Sequence, residues 1–300
     1  MHYTSLNEYL KSTYGHKLYK ISLNANLSCP NRDGKLSIHG CTFCSEGGSG
    51  DFAASKMLSI TNQIEEGKKK IQNKMPKQLP SFPSYIAYFQ AYTNTYGPIA
   101  YLKQIFYEAI FHKDIAILSI ATRPDCLGPE VLNLLSELNQ IKPVWVELGL
   151  QTIHSNTALK INRGYPLSVY DEAVLALKKR KIKVITHLIL GLPGENESML
   201  YQSVNHVVQI GSWGIKLQLL HILKGTKLAE EYEKNPFPLL SLKEYTHLIV
   251  ECLKRIPETT VIHRITGDGP KSILIAPKWS ANKKLVLNTL QKEIKLSDRT

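Results

Sequence analysis

The 300-residue chain is short of cysteine, tryptophan and acid: it has five Cys, three Trp, and 25 Asp plus Glu against 37 Lys plus Arg. Five thiols without a basic-then-apolar leader argue against a secreted disulfide framework and for a reducing cytoplasm. The longest apolar run, near residues 184–192, is interrupted by Thr186 and His187. It falls far short of the ~20 residues needed to cross a bilayer, so no membrane partner is expected. Internal repeats and low-complexity tracts are absent. No Gly-x-Gly-x-x-Gly follows the first predicted strand, which argues against a dinucleotide-binding Rossmann domain. The acid deficit leaves a formal charge of +12 and a pI near 9.3. That balance suits a polyanionic partner, nucleic acid ahead of acidic lipid, and suits a generally basic soluble enzyme equally well.

What is present reads as alternating strand and helix. Residues 18–23, 84–90, 114–121, 144–150, 183–190 and 215–220 have strand character, from β-branched and aromatic content or alternation. Helical patterns lie between them: a face of Ile60, Ile64 and Ile71 capped by Ser59, a helix from Pro98 to about Phe111, one over 129–139, and one over 197–210. Ser168 and Asp171 look like a capping box for a further helix carrying Tyr170, Ala173, Val174 and Leu177. Six strands separated by helices predict a parallel α/β sheet, as a barrel, a partial barrel or an open doubly wound sheet. Residues 1–224 would form this unit and residues 225–300 a C-terminal α+β extension packed on it. The extension should hold a helix boxed by Ser241 and Glu244, a strand over 259–265, a turn at Thr266-Gly267-Asp268-Gly269-Pro270, and a final helix from about Ser280 presenting Leu285, Leu290 and Ile294.

The densest chemistry lies in the loop over residues 29–50, directly after the first strand. Cys29-Pro30-Asn31-Arg32-Asp33-Gly34 leads to Cys41-Thr42-Phe43-Cys44 and then Ser45-Glu46-Gly47-Gly48-Ser49-Gly50. Two metal readings fit. Cys29, His39, Cys41 and Cys44 are a Cys3His zinc set, which the spacing alone favours. Alternatively, three thiolates hold a 4Fe–4S cluster whose fourth iron stays open to another ligand. In parallel α/β folds, chemistry gathers at the carboxyl ends of strands, where this loop would lie. Cys252 falls on an apolar helical face and reads as core. Cys126 lies just past a strand end and reads as a small buried hydrophobe.

Cys-x2-Cys with Phe43 just before the last cysteine, at the end of the first strand of such a chain, resembles the radical S-adenosylmethionine (SAM) superfamily. The eleven residues between Cys29 and Cys41 depart from that superfamily's usual Cys-x3-Cys-x2-Cys. A long first gap resembles the elongator catalytic subunit and a related bacterial family. So do Thr122-Arg123-Pro124-Asp125, Glu147-Leu148-Gly149-Leu150-Gln151, Gly191-Leu192-Pro193-Gly194-Glu195 and Thr266-Gly267-Asp268, in that order along nearly the whole chain.

The resemblance implies a partial (β/α)6 TIM-like barrel. It implies a 4Fe–4S cluster on Cys29, Cys41 and Cys44, with SAM chelated to the open iron and cleaved to a 5′-deoxyadenosyl radical. SAM contacts would fall on Phe43, Gln90 by backbone only, Ser119, Thr122, Glu147, Gln151, Arg163, and Gly191 with Leu192 near adenine. Gln90 lies in Phe89-Gln90-Ala91-Tyr92, which departs from the commoner Gly-Gly-Glu. His39 then becomes a loop residue. Substrate-side candidates are Tyr92, His187, Lys216, Gln218, His221, His263 and Arg264.

The resemblance further implies tRNA as substrate, with conversion of wobble 5-carboxymethylaminomethyl-(2-thio)uridine to 5-aminomethyl-(2-thio)uridine. A reducing donor such as flavodoxin or ferredoxin would be its partner. Two other readings stand beside it: a radical SAM enzyme acting on a small anionic metabolite, and a non-catalytic zinc- or cluster-stabilised RNA-binding module.

Overall fold

The computed structural model describes residues 3–75, 83–267 and 269–297; Asp268 of the expected turn lies outside them. Six strands in chain order pair side by side: β1 (Tyr19–Leu23), β2 (Tyr85–Phe89), β3 (Ile115–Thr122), β4 (Val144–Gln151), β5 (Lys183–Leu190) and β6 (Gly214–Leu219). A short β7 (Ile222–Leu223) leaves the sheet, and β8 (Val261–Arg264) returns to pair with β6 as a seventh strand. Every pairing in this sheet is parallel. The seven strands form a curled half-barrel. A second, two-stranded ribbon joins β7 to β9 (Leu274–Ala276) in antiparallel register.

Helices α2 (Ile60–Ile71), α3 (Ile99–Phe111), α4 (Pro129–Asn139), α6 (Leu167–Lys179) and α7 (Glu197–Gln209) cross back between strands, with the short α5 (Ser155–Lys160) after β4. Helices α8 (Lys227–Lys234), α9 (Leu242–Arg255) and α10 (Lys283–Ser297) complete the chain, and α1 (Leu6–Tyr14) precedes β1.

Alternation along each strand sorts side chains to the two faces. Ile21, Leu23, Ala87, Phe89, Leu118, Ile120, Val146, Leu148, Ile215 and Leu217 point outward and join one core with the helices. Ile86, Ile117, Trp145 and Ile185 point inward and form a separate apolar floor with Leu18 and with Leu10 of α1, which plugs that end. Two residues further along the strands, the inward positions turn polar: Lys20, Tyr88, Ser119, Glu147, His187 and Lys216. This polar layer lies between the apolar floor and the strands' carboxyl ends.

Several expectations change. The strand expected in the extension is part of the main sheet, which therefore runs to residue 264 rather than ending before Lys224. Ser168 does not cap α6: the helix begins at Leu167 after Pro166, and Asp171 instead accepts from His206 Nε2 at 2.7 Å. The last helix starts at Lys283 after a 3-10 turn over Lys278–Ala281, and it buries Val286 and Leu290 while Leu285 is exposed. Ser59 caps α2, and the Ser241–Glu244 box forms as read.

Candidate active site

The loop after β1 is held in part by its own polar groups. Arg32 N–H and Asp33 N–H donate to the Cys29 carbonyl at 2.7 and 3.2 Å, and Cys44 N–H donates to the Cys41 carbonyl at 3.0 Å. The Arg32 guanidinium reaches across to the carbonyls of Cys44 and Ser45 at 2.8 and 2.7 Å, closing the loop on itself.

Fully buried Asn31 ties it to the segment after β4, donating to the Asn162 carbonyl at 2.6 Å and to Cys41 Sγ at 3.6 Å. Asn162 answers by donating to the Gly40 carbonyl at 2.7 Å. Gly48 has φ +61°, and a Cβ there would lie 2.5 Å from the Tyr92 ring; a Cβ at Gly50 would lie 2.4 Å from that of Ala91. Glycine is therefore required where the loop sits on the end of β2. Gln90 Nε2 and the Tyr92 hydroxyl hold the contact, donating to the carbonyls of Ser49 and Glu46 at 2.8 and 2.5 Å.

Cys29, Cys41 and Cys44 converge on one cavity of about 200 Å³ at the carboxyl ends of the strands. Burial, with Cys44 and Cys29 beside it, pushes the Cys41 thiol up to about 12. Three thiols on one cavity wall make a donor set suited to an iron–sulfur centre. Among the described residues, only Glu65, His112 and Asp114 bring three ligand atoms within 4.8 Å of one another, and that niche already holds the Lys68 ammonium. A single tetrahedral zinc would bring its sulfurs to ~3.8 Å apart. The wider seating of the three thiols, with His39 exposed and outside the cavity lining, does not fit the Cys3His zinc set. Three thiols with no fourth protein ligand beside them, among the described residues, are the donor set that leaves one iron of a 4Fe–4S cluster open.

The polar layer forms the inner end of the same cavity. Glu147 has a fully buried side chain, and both its oxygens are occupied. Lys20 Nζ and Ser119 Oγ donate to Oε1 at 2.8 and 2.9 Å. His187 Nε2 lies 2.8 Å from Oε2, and Lys216 Nζ shares that oxygen. An ionised carboxylate only accepts, so His187 carries its proton on Nε2. Burial opposes ionisation of Glu147, but Lys20, Lys216 and His187 hold its carboxyl well below the usual range. Burial, reinforced by Lys20 and Arg264 and offset by Glu147, lowers the Lys216 ammonium to about 7. Burial and Lys216 bring His187 to about 4, so it is neutral at physiological pH. The two ammonium groups flank the Tyr88 ring, at 4.6 and 4.8 Å from its centroid.

The expected site residues distribute unevenly. Phe43, Gln90, Tyr92, Thr122, Glu147, Gln151, Arg163, His187, Lys216, Gln218 and Arg264 line the cavity. Gln151 adopts φ +68°, and its Oε1 is buried without a partner. Arg163 does line it, yet its donors are largely committed to the carbonyls of Leu150, Thr152 and Tyr165. Ser119 is fully buried behind Glu147 and does not reach the cavity. Gly191 faces Leu240, and Leu192 packs with Ile161, Ile189 and Leu220; neither lines the cavity.

His263 is corrected from a substrate-side candidate: it is half-buried at the floor against Trp145 and Trp213, and its buried ring nitrogens have no partner. His221 lies in a neighbouring cleft, 3.1 Å from Ser280 Oγ. That cleft, of about 1120 Å³, shares Phe43, Tyr88, Lys216, Gln218 and Arg264 with the first cavity and adds Lys20, Lys271 and Lys283. Cys252 is core, as expected. Lys20 and Asn31 were not singled out in the sequence. Inward parity in Tyr-Lys-Ile-Ser-Leu was the available signal for Lys20, and nothing local marked Asn31.

Comparison with known proteins places these features. A family model described as Radical SAM superfamily matches residues 38–207, and one described as Radical_SAM C-terminal domain matches residues 212–295. The uncharacterized protein YtqA of Bacillus subtilis is 43% identical over 97% of this chain and 89% of its own length. A tRNA uridine(34) acetyltransferase of Methanocaldococcus jannaschii is 26% identical over 56% of this chain, which spans 31% of that protein. The solved structure of archaeal Methanocaldococcus infernus Elp3 with an N-terminal deletion superimposes with TM-score 0.67 at 17% identity, a likeness of fold. It covers 92% of this chain, which spans 63% of that one, under two thirds.

Proposed function

The chain belongs to the radical SAM superfamily, and from that premise we propose that it modifies the wobble uridine of tRNA, converting 5-carboxymethylaminomethyl-(2-thio)uridine to 5-aminomethyl-(2-thio)uridine. Cys29, Cys41 and Cys44 would hold a 4Fe–4S cluster, and the cavity wall of Gln90, Tyr92, Thr122 and Gln151 would take SAM, with Gln151 Oε1 the acceptor still unsatisfied. Bound there, cluster and SAM would supply one-electron chemistry that removes a hydrogen atom from substrate, here at the carbon between the amine and the carboxylate. Loss of one further electron to the redox partner would leave an imine, and water would split its C–N bond to give the aminomethyl group and glyoxylate. The protein's part is to seat the cysteine loop through Asn31, Arg32 and Asn162, and to keep the reaction volume dry between the loop and the apolar floor.

One observation carries the substrate class: the thiol-lined cavity opens into a wide cleft lined by Lys20, Lys216, Arg264, Lys271 and Lys283, with Asp51 and Ser45 on its acidic side. A cationic cleft leading to a small reaction volume supports a nucleotide presented from a polyanion. The distant similarity to a tRNA uridine(34) acetyltransferase supports the same target. Among the described residues no helix is long and apolar enough to cross a membrane. A cytoplasmic setting, with flavodoxin or ferredoxin as electron donor, belongs to this proposal.

Nucleoside mass spectrometry of tRNA from cells lacking the protein tests it. The carboxymethylaminomethyl form should accumulate and the aminomethyl form fall. An unchanged wobble-uridine profile removes the proposed reaction. Anaerobic, reduced enzyme should also release 5′-deoxyadenosine from SAM in the presence of that tRNA.

A further inference from the structure

The cavity's inner end carries an imbalance. Lys20 and Lys216 both lean on a single carboxylate, Glu147, while His187 beside them is neutral. With Lys216 protonated, two ammonium groups share one carboxylate in a layer where Lys216 is 4% exposed. Burying an ammonium without an anion costs several kcal/mol, so such a group either releases its proton, which is why burial brings Lys216 to about 7, or is held charged by an incoming anion. Of the three N–H groups on Lys216 Nζ, Glu147 and the Tyr88 hydroxyl take two, the latter at 3.3 Å. The third is left for the cavity, which Lys216 lines together with Gln218 and the cysteine loop.

We infer that Lys216, held by Glu147 and supported by Lys20, is a specificity-determining residue that reads a carboxylate on the substrate at the inner end of the cavity. One open N–H on a single ammonium suits one carboxylate oxygen. Glu147 serves as the positioning residue: it fixes both ammonium groups against Tyr88 and would repel an anion that approached without bonding to Lys216. In the proposed reaction the carboxylate is that of the carboxymethylamino group, so this inference rests on that reading for its source. A small carboxylated metabolite offers the same chemistry.

Trace acetylation with acetic anhydride, quantified by mass spectrometry on the anaerobic holoenzyme, tests the site without turnover. N-methylglycine, the smallest mimic of the carboxymethylamino group, should protect Lys216. An anion beside the ammonium that raises its pKa by one unit lowers the reactive neutral fraction about fivefold near pH 7. N-methylglycinamide should not protect. Protection by neither compound, equal protection by inorganic phosphate, or a Lys216 that never labels would each overturn the assignment.

The second arm is turnover of tRNA carrying the carboxymethylaminomethyl group against the same tRNA with that group as its carboxamide. Wild type should favour the carboxylate by about ten- to hundredfold in kcat/KM, the worth of one hydrogen bond to a charged group. Lys216→Met should lose that preference, and Lys216→Arg should keep part of it. If Lys216→Met does not fold, Lys216→Arg and the labelling arm still decide the matter. Protection by N-methylglycine with no turnover of either tRNA would leave the carboxylate site standing, point to a small metabolite, and remove the tRNA proposal. Turnover with wild-type preference in Lys216→Met would do the reverse.

Discussion

Removing any one of Cys29, Cys41 or Cys44 takes one ligand from a three-thiol set, whereas Cys126 and Cys252 lie outside the cavity lining. Anaerobically reconstituted Cys41→Ala should therefore lose most of its iron and visible absorption, and Cys126→Ala should retain both. Full iron in Cys41→Ala would contradict the assignment. Lys216 sets a different residue-scale expectation. Its ammonium titrates near 7 in the folded protein, mainly through burial, against an ordinary 10.5 in the unfolded chain. Between those values the unfolded chain holds a proton that the folded chain has released, so stability rises with pH across that window. The groups facing it are Glu147, Lys20, Tyr88, His187 and Arg264. Denaturant unfolding from pH 7 to 10 should show wild type gaining stability relative to Lys216→Met; parallel curves would refute the depressed value. The three cysteines were legible because they share one polar loop. His39 misled because sequence proximity to a ligand does not bring a side chain into the cavity.

At the scale of elements, Gly67 in α2 sets two effects against each other. Helix propensity alone predicts that Gly67→Ala would stabilise by ~1 kcal/mol. A Cβ there would lie 2.3 Å from Ile21 Cγ2, a side chain 2% exposed on β1. Overpacking a core typically costs ~1–3 kcal/mol, so the net expectation is loss, measured as a lower denaturation midpoint. A gain would mean that α2 can lift from β1. Strands and their order were readable from apolar content and the turns between them. Helix starts were less so: Pro166, not Ser168, opens α6, because the proline ring presets the backbone two residues earlier than the side-chain signal suggested. Helices α1 and α8 were not read from the sequence, although Ser5 with Glu8 boxes the start of α1 and Thr226 caps α8.

For the whole molecule, the +12 charge and the lysine-lined cleft give an electrostatic expectation. Affinity for tRNA should fall at least ~tenfold between 50 and 200 mM salt, read by a binding titration, as counterions compete for the phosphates. Salt-insensitive binding would argue that the cleft serves something other than a polyanion. The amino-acid sequence by itself determined the order of strand and helix, the position of the cysteine loop after the first strand, and the family its motifs resemble. These are local facts, written in periodicity and spacing. Only the tertiary structure decided that β8 closes the sheet, that His263 packs at the floor, and that Lys20, Glu147 and Lys216 meet from three strands. The reason is that parallel strands here are buried on both faces, so hydrophobicity no longer marks which face turns inward. Curling the sheet brings inward positions 127 and 69 residues apart onto one carboxylate.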